Sequence, residues 1–545
     1  MKFLILLPLL FSCIPKSPKD TPLPKEPLVF DPLSAHAWHL ENTGQDTFSD
    51  GYAVAGEDHK IKKVHELGFT GKGIKIAVSD NGVQVNHPDL EQNQLVNEHR
   101  NYRTIPPYKG DPVPEDIYRD SHGTSVTGLV SAVKGNTEGS YGVAPDSLFA
   151  GFNFLSLGYS HEIFLHQLTG DFNIFNYSYG LPEHLITGTY QSEVIDALKQ
   201  GVENGAVYVK AAGNGYYLTY EGTPIWSNAN FEAEQTLPYY IVVGAINSRG
   251  IKSSYSSPGS NLWISGAGGE FGTSSPAMIT TDLTGCSYGS AHKTTGKTAF
   301  DKGFDEANPY CDYTNTMNGT SSAAPVISGI IALMMEANPN LTWRDVKHIL
   351  AKTADRVDYS ELDNNLSHPK ASFNLPGHIY DKKWIKNHAG NYFSNWYGFG
   401  RANALQAVLM ASTYNFPLGT YLEETFTSAP LDLGIPSTAV GVTDSINVSS
   451  GVSKIESVQV RVNLEHTEAG DLGIELTSPH GTTSKLFLIN SGAIVYPPTN
   501  NPEINLLSNA FYEENPQGNW TLKIIDGSSD HPGKFKGWSI KINGH

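Results

Sequence analysis

The stretch Asn318-Gly319-Thr320-Ser321-Ser322-Ala323-Ala324-Pro325 decides how this chain folds, because a turn of small residues leads there into an apolar helix. Apolar residues then recur at helical spacing until Asn338-Pro339 ends the pattern. These residues are Val326, Ile327, Ile330, Ile331, Leu333 and Met334. Pro325 fits this interpretation because a proline in the first turn of a helix gives up no intrahelical hydrogen bond. Ser321 is therefore predicted at the N-terminal end of a buried helix.

A serine at a helix start is placed well for nucleophilic chemistry. The first N–H groups of a helix have no intrahelical partner, and the helix dipole favours negative charge there. Such a serine can attack a carbonyl while its own N–H helps to hold the oxyanion. The alternative is that Thr320 and Ser321 merely cap the helix, so the rest of the chain must decide.

Nucleophilic catalysis by serine also needs a base, a carboxylate that orients the base, and donors for the oxyanion. His122 precedes an apolar helical pattern, and Asp80 follows a short apolar strand pattern at residues 73–79. Asn214 lies in a Gly-Asn-Gly turn after another apolar strand pattern and can offer a side-chain amide. Each residue alone could be a turn or cap residue. Together, in the order Asp80, His122, Ser321, they follow the subtilisin order.

The first 412 residues alternate between short apolar strands and amphipathic helices. Strands are predicted at residues 73–79, 149–154, 174–177, 206–209 and 240–243, and helices at residues 58–67, 124–133, 161–168 and 192–203. This alternation predicts an α/β fold with a doubly wound parallel sheet, whose ligand site lies at the carboxyl ends of the strands. The segment 266–312 is rich in Gly, Ser and Thr and is predicted to be a long loop or insertion without an assigned function.

The pattern changes after about Ser412. Residues 457–465 alternate strictly between apolar and polar, and residues 474–476, 520–524 and 538–542 do the same. Period-two strands separated by Gly-rich turns predict an antiparallel β-sandwich or jelly roll. We therefore divide the globular part into an α/β domain at residues 28–412 and an all-β domain at residues 413–545.

Composition bounds the partners. With 37 Lys+Arg against 55 Asp+Glu, the formal net charge of the 545 residues is −18. The charge is diffuse, which argues against nucleic acid and anionic membrane surfaces as partners. An acidic protein also attracts basic substrates, although many secreted proteins are acidic without that reason.

The N-terminus has the features of an export signal. Residues 1–13 comprise one lysine, a short apolar run and Leu10-Phe11-Ser12-Cys13, which resembles a bacterial lipobox whose cysteine receives a lipid. The alternative is an ordinary secretory signal with an incidental cysteine. Residues 14–27 contain five prolines and are expected to form an extended tether. We expect an exported bacterial protein, either a cell-envelope lipoprotein anchored at Cys13 or a secreted one.

The chain has only three cysteines. If Cys13 is acylated, Cys286 and Cys311 remain, 25 residues apart. An exported context favours a disulfide between them, which two thiols alone do not establish.

Several windows of the sequence closely resemble subtilisin-like proteases. They are Ser79-Asp80-Asn81-Gly82, Asn86-His87-Pro88-Asp89-Leu90, His122-Gly123-Thr124, Gly142-Val143-Ala144-Pro145, Ala212-Gly213-Asn214-Gly215 and Gly319-Thr320-Ser321. The windows Asn340-Leu341-Thr342-Trp343-Arg344-Asp345 and Tyr397-Gly398-Phe399-Gly400 resemble the kexin and furin branch. Gly470-Asp471-Leu472, Ser478-Pro479-His480-Gly481-Thr482 and Gly518-Asn519-Trp520 resemble its P domain. The resemblance covers roughly residues 28–545.

The resemblance implies a serine endopeptidase that cleaves protein or peptide substrates, whose catalytic domain depends on the P domain to fold. It implies that Asp80, His122 and Ser321 form the triad and that Asn214 is the oxyanion residue. Ser178, Tyr179 and Gly180 would pair with the substrate as an added strand. By the same likeness, Asp31 and Asp89 match carboxylates of a structural calcium site. Their alternative roles are a helix cap and a turn residue.

Two departures from the family pattern concern substrate preference. Kexins usually carry two aspartates where this chain has Asp80-Asn81, so Asn81 weakens a dibasic preference. The pocket wall has Tyr179 where tryptophan is usual. Glu183, and either Glu232 or Glu234, are placed where the family has pocket acids, but they could equally be solvated surface charges. A preference for cleavage after basic residues is expected, with a broad-specificity protease as the alternative.

Two further expectations follow from the resemblance. Kexins begin with a folded pro-domain, and the short segment between Cys13 and Leu28 has no room for one. We therefore expect folding to proceed unaided or with a separate chaperone protein. A non-catalytic surface binding protein that keeps this fold is the remaining alternative.

Overall fold

The computed structural model describes residues 30–545 except residues 105, 157–159, 189, 294, 361–363 and 371. The predicted signal peptide and tether, residues 1–13 and 14–27, lie outside the described residues. The helices are α1 (Ile61–Glu66), α2 (His122–Ser131), α3 (His161–Gln167), α4 (Ser192–Glu203), α5 (Gly289–His292), α6 (Thr320–Ala337), α7 (Trp343–Thr353) and α8 (Ala404–Thr413).

The N-terminal domain is built on a six-stranded parallel sheet in the order β2-β1-β3-β5-β8-β9. Its strands and the shorter ones around it are β1 (Lys75–Ser79), β2 (Leu148–Phe152), β3 (Ile174–Tyr177), β4 (Leu185–Thr187), β5 (Val207–Ala211), β6 (Leu218–Tyr220), β7 (Thr223–Ile225), β8 (Tyr240–Ile246), β9 (Ile264–Ala267), β10 (Met278–Thr281), β11 (Tyr313–Met317), β12 (Asn365–Leu366), β13 (Asp381–Lys382), β14 (Ile385–Lys386) and β15 (Tyr392–Phe393). Every residue of β3, β5 and β8 is buried, as expected of parallel strands covered by helices on both faces. The predicted doubly wound α/β fold is confirmed.

Helix α6 is the central helix of this domain and packs against α2, α8, β8 and β9. It is long and apolar enough to cross a membrane, with a mean hydropathy of 1.3, but 89% of it is buried inside the domain. The placement of Pro325 in the first turn is wrong, because α6 begins at Thr320 and Pro325 falls in its second turn. A proline there leaves the carbonyl of residue 321 without its helical donor. The hydroxyl of Ser178 donates to that carbonyl instead, at 2.9 Å.

The segment 266–312 is only partly a loop. Its start belongs to β9 at the sheet edge, and Met278–Thr281 forms β10, which pairs antiparallel with β11. The expectation of one long loop is therefore wrong for these residues. Their mixture of apolar residues and Thr gives no clear strand pattern, although all four residues of β10 are buried. Cys286 and Cys311 form the expected disulfide within this segment.

The C-terminal domain is a sandwich of two antiparallel sheets. One has the order β16-β25-β19-β23 with β17 also paired to β25, and the other has the order β18-β24-β20-β21. Its strands are β16 (Leu422–Thr427), β17 (Leu433–Ile435), β18 (Val442–Val448), β19 (Ile455–Glu465), β20 (Leu472–Thr477), β21 (Thr483–Phe487), β22 (Ile494–Tyr496), β23 (Glu503–Ser508), β24 (Gly518–Asp526) and β25 (Gly533–Gly544). The apolar faces of β19, β20, β24 and β25 meet in one core, so the period-two pattern correctly predicted this domain.

Candidate active site

Asp80 and His122 meet at the carboxyl end of the central sheet. Asp80 directly follows β1, and His122 is the first residue of α2. The Nδ1 atom of His122 lies 2.8 and 3.0 Å from the two carboxylate oxygens of Asp80. Gly123 permits this approach, because a Cβ atom there would lie 2.1 Å from the carbonyl oxygen of Gly82. The sequence therefore correctly predicted that Asp80 and His122 lie together.

The environment of His122 favours its charged form. Burial opposes the imidazolium, but the attraction of Asp80 and its hydrogen bond outweigh burial, so the pKa of His122 lies above its ordinary value. The Asp80 carboxylate is fully buried, whereas the His122 ring is about one-third exposed. This arrangement fixes the imidazole tautomer and stabilises an imidazolium when one forms.

Asn81 lies beside the Asp80–His122 pair, and its side-chain oxygen already accepts a hydrogen bond. Its Oδ1 accepts a hydrogen bond from the N–H of Gly123 at 3.0 Å, which ties β1 to the start of α2. Asn81 also lines a cavity of about 260 Å³ next to His122. Its role in substrate binding stays a prediction, and the residue carries no charge for a basic side chain.

Ser321 is the second residue of α6 and is buried. Its hydroxyl donates to the carbonyl of Ser178 at 3.0 Å, while the Ser178 hydroxyl donates to the carbonyl of Ser321. Being so close to the helix start, Ser321 has no helical carbonyl to accept its N–H. Ser321 and the expected substrate-binding strand are therefore in direct contact.

Asn214 lies in the exposed loop after β5 and is oriented by Thr320, the first residue of α6. Its Oδ1 accepts from the N–H and the hydroxyl of Thr320, at 2.8 and 3.1 Å. Because the oxygen is used in this way, the Nδ2 amide group is left to donate to a ligand. Gly319 has φ +105°, and a Cβ atom there would lie 3.3 Å from that Nδ2. A larger residue at this position would crowd the donor.

A cavity of about 400 Å³ opens beside Ser321 and Asn214. Its walls include the predicted substrate strand Ser178–Tyr179–Gly180, together with Glu183 and Glu232. A Cβ atom on Gly180 would lie 2.9 Å from the Oε2 of Glu232, so the small residue gives the acid access to the wall. Glu183 accepts from the N–H of Asn214 and so joins the pocket wall to the oxyanion loop.

The inclusion of Glu234 among the pocket acids is wrong. Its carboxylate does not line the cavity but accepts from the hydroxyl of Tyr240 and lies 3.6 Å from the ammonium of Lys210. The two acids are only two residues apart, and the 3₁₀ turn Ala233–Thr236 that contains Glu234 separates them onto different sides.

Lys210 is a buried charged residue behind the cavity wall that sequence reasoning missed. It is fully buried in β5, 3.0 Å from Glu232, and its Nζ also donates to the carbonyl of Tyr179 at 3.2 Å. The attraction of Glu232 and Glu234 outweighs burial, so the pKa of Lys210 is raised. The available signal was a lysine inside an otherwise apolar strand, since a buried lysine needs a carboxylate partner.

The second domain packs against the elements that carry the pocket wall. Its strand β22 pairs in parallel with β4, which begins two residues after Glu183. Ile186 of β4 and Phe231, the neighbour of Glu232, pack into the core of the β-sandwich. The side chain of Asn230 donates to the carbonyls of Leu486 and Leu507, at 3.1 and 3.3 Å. The β-sandwich thus supports the chain segments next to Glu183 and Glu232.

Asp31 and Asp89, the predicted calcium ligands, are both buried and contact one loop, at residues 135–136. Asp31 accepts from the N–H groups of Gly135 and Asn136, and one oxygen of Asp89 accepts from the Asn136 amide at 2.8 Å. The other oxygen of Asp89 is buried without a hydrogen-bond partner, and burial raises the pKa of Asp89 to about 8. No group of three or more His, Cys, Asp or Glu side chains that could hold a metal occurs among the described residues. Oxygen-only ligands with one orphaned carboxylate oxygen fit a hard cation such as calcium.

Family models match both domains. The Subtilase family matches residues 71–400, and the proprotein convertase P-domain matches residues 455–542. Both ranges lie inside the predicted domain boundaries.

Known proteins resemble the chain along almost its whole length. The extracellular serine protease of Aeromonas sobria is 33% identical, over 94% of this chain and 91% of that protein. Human neuroendocrine convertase 2 is 28% identical, over 94% of this chain and 74% of that protein. Crystal structures of the A. sobria protease, alone and with its chaperone ORF2, each have a TM-score of 0.85 at 31% identity and cover 94% of this chain and at least 95% of theirs.

Proposed function

We propose, for a chain that belongs to the subtilase family and is a serine protease with a P domain, that Asp80, His122 and Ser321 hydrolyse peptide bonds. The hydrogen bond between His122 and Asp80 carries this proposal, because it orients a base at the start of α2. Helix α2 packs against α6, which holds Ser321 near its start. Serine protease relatives at 31–33% identity over most of the chain make the non-catalytic alternative untenable.

The residues divide the reaction as follows. His122 accepts the proton of the Ser321 hydroxyl as the hydroxyl attacks the scissile carbonyl, and later donates that proton to the leaving amine. Asp80 holds the imidazole tautomer and stabilises the imidazolium. The N–H of Ser321 and the Nδ2 amide of Asn214 donate to the oxyanion.

The substrate itself is expected to release the nucleophile. An added substrate strand alongside Ser178–Gly180 needs the carbonyl of Ser178 as an acceptor for one of its N–H groups. That carbonyl is occupied by the hydroxyl of Ser321 in the free protein. When the substrate N–H takes it, the hydroxyl is free to turn toward His122.

We infer that the 400 Å³ cavity receives the residue before the cleaved bond and favours a basic side chain. Glu183 and Glu232 provide two carboxylates on its walls. A guanidinium or ammonium that pairs with a partly buried carboxylate gains a charge-assisted hydrogen bond.

Neutralising the cavity acids is expected to change selectivity. A charged hydrogen bond contributes about 1.5–3 kcal/mol, so Glu232→Gln should lower kcat/KM for Arg-containing peptides about tenfold or more relative to matched Leu peptides. The measurement is the ratio of the two kcat/KM values, for wild type, Glu183→Gln and Glu232→Gln.

The matched control is Glu193→Gln, since Glu193 is exposed on α4 and does not line the cavity. It should leave the ratio unchanged. An unchanged ratio in both cavity variants would contradict the basic preference.

A broad-specificity protease is the second candidate, favoured by Lys210. Its ammonium, 3.0 Å from Glu232, already neutralises part of the negative charge that would select a basic side chain. Cleavage of a randomised peptide library after many apolar residues would establish this second function.

We propose that Asp31 and Asp89 bind a structural calcium ion, together with loop carbonyl, amide or water oxygens. The orphaned, buried oxygen of Asp89 supports this proposal. When bound, the ion would neutralise the two carboxylates and fix the loop at residues 133–138 against them.

Chelation should therefore destabilise the protein. A ligand at 100 times its Kd stabilises the folded state by about 2.7 kcal/mol, so for a chain of this length EDTA should lower the unfolding temperature by about 2–3 °C and added calcium should restore it. Differential scanning calorimetry measures this shift. Asp89→Asn should lose most of the response, whereas an equal response in that variant would refute the site.

We further propose that the protein is exported and that a separate chaperone assists its folding. The extracellular location of a relative and the chaperone bound to a homologue support these two proposals. The lipid anchor at Cys13 falls outside the described residues, and the mass of the mature N-terminus would test it. Full recovery of activity by denatured protein refolded alone would contradict the chaperone proposal.

A further inference from the structure

Lys252 is a half-buried lysine that neither the triad nor the specificity cavity uses. Burial lowers the pKa of its ammonium to about 7, against the attraction of Glu270. Its Nζ donates to the carbonyls of Ser253, Ser254 and Ser256, at 3.0, 3.4 and 3.3 Å. It also lies 3.8 Å from the ring centroid of Tyr216 and 4.9 Å from that of Trp396. Ring faces within about 6 Å attract a cation, and carbonyl oxygens do the same. The ammonium therefore fastens the turn at residues 253–256 to a ring of the loop that contains Asn214.

Ser257, the residue directly after that turn, holds both neighbours of Asn214. The N–H of Ser257 donates to the carbonyl of Gly213 at 3.0 Å, and the N–H of Gly215 donates to the Ser257 hydroxyl at 3.1 Å. The N–H of Tyr216 donates to the carbonyl of Tyr255, also at 3.0 Å. The position of Asn214 is thus set by the segment that Lys252 fastens.

The same turn also holds the nucleophile. The hydroxyl of Tyr255 accepts from the N–H of Gly319 at 2.7 Å, two residues before Ser321. It donates in turn toward the carbonyls of Gly268 and Gly269, each at 2.8 Å. One short segment therefore fixes the two groups that must converge on the oxyanion, the amide of Asn214 and the N–H of Ser321.

We propose that Lys252 is a positioning residue for the oxyanion hole, an internal cation that aligns the Asn214 loop with the Ser321 turn. This inference rests on the proposed role of Asn214. It assigns Lys252 no contact with substrate, since the residue does not line the cavity beside Ser321.

Replacing Lys252 by methionine keeps the length of the side chain but removes the ammonium. A displaced oxyanion donor acts in the transition state, so kcat should fall about tenfold while KM for a short peptide stays within about twofold. Lys252→Arg should recover part of the loss, because it restores a cation between the carbonyls and the rings.

A double-mutant cycle separates positioning from a general structural defect. Asn214→Ala should lower kcat about 10²- to 10³-fold. In that background Lys252→Met should cost less than about twofold, because the donor that it positions is gone. A second tenfold loss would overturn the inference. An Asn214→Ala variant with wild-type kcat would instead refute the proposed oxyanion role.

Lys347→Met is the matched control. Lys347 is buried beneath tryptophan rings, with Nζ 4.1 Å from the centroid of Trp263, but it donates to the carbonyl of Pro238. Its loss should lower thermal stability without changing kcat. If Lys252→Met does not fold, Tyr216→Leu replaces it, because it removes one of the two rings that contact the ammonium. Tyr216→Leu is then combined with Asn214→Ala in the same double-mutant cycle. Additive losses in kcat would again overturn the inference.

Discussion

Ser321→Ala should abolish peptide hydrolysis and leave the fold intact. The hydroxyl makes one hydrogen bond, to the Ser178 carbonyl, and the serine is otherwise surrounded by small helix residues that an alanine matches. In subtilisin, loss of the nucleophile costs about a million-fold in kcat, and a similar loss is expected here. The measurement is kcat on a chromogenic peptide together with the unfolding temperature.

Ser322→Ala is the control for this prediction. Ser322 is the next residue of α6, is fully buried, and is not assigned a chemical role. It should retain activity within about an order of magnitude of wild type, because its change is of the same size without removal of a nucleophile. Equal activity in Ser321→Ala and wild type would contradict the proposed mechanism.

Asp80→Asn should lower kcat about 10⁴-fold, the second-largest effect expected. The amide keeps the size of the side chain, but it no longer holds the imidazole of His122 in the tautomer that can accept the serine proton. Binding should be retained, because Asp80 is fully buried and does not line the 400 Å³ cavity. The measurement is kcat and KM at one pH, and equal losses in Asp80→Asn and in a surface variant such as Asp196→Asn would contradict the assignment.

The wild-type pH profile follows from the same pair. His122 must be neutral to act as a base, and Asp80 raises its pKa above the ordinary value although burial opposes the charge. Activity is therefore low at acidic pH and rises through a pKa above about 6.5. If kcat/KM instead rises with a pKa below about 6.5, Asp80 does not stabilise the imidazolium in the free enzyme.

Local sequence patterns predicted those parts of the fold that depend on local periodicity. The helix Ser192–Glu203 and the strand Ile174–Tyr177 were predicted to the residue, because their apolar spacing is strong and their ends are marked by polar residues. The positions of Asp80 and His122 at a strand end and a helix start followed from the same patterns. Parallel α/β topology brings such ends together, which is why the contact between Asp80 and His122 was predictable.

Long-range contacts account for what could not be predicted. Strand β4 has three residues, too few for a periodic signal, and exists because β22 of the other domain pairs with it. The side on which Glu234 lies is set by Lys210, which is distant in sequence and paired through the interior. The displaced Pro325 is tolerated only because Ser178 satisfies the carbonyl that it frees. None of these partners is adjacent in the chain.

The central claim is that Ser321 is the activated nucleophile, and labelling with a fluorophosphonate tests it most directly. The reagent phosphonylates a serine whose hydroxyl is activated by a neighbouring base, with loss of fluoride, and peptide mapping by mass spectrometry locates the adduct. We predict one adduct on Ser321 with parallel loss of activity, and no adduct in the His122→Ala variant. Complete inactivation with the adduct on another serine, or an unlabelled protein that cleaves peptides, would contradict the mechanism.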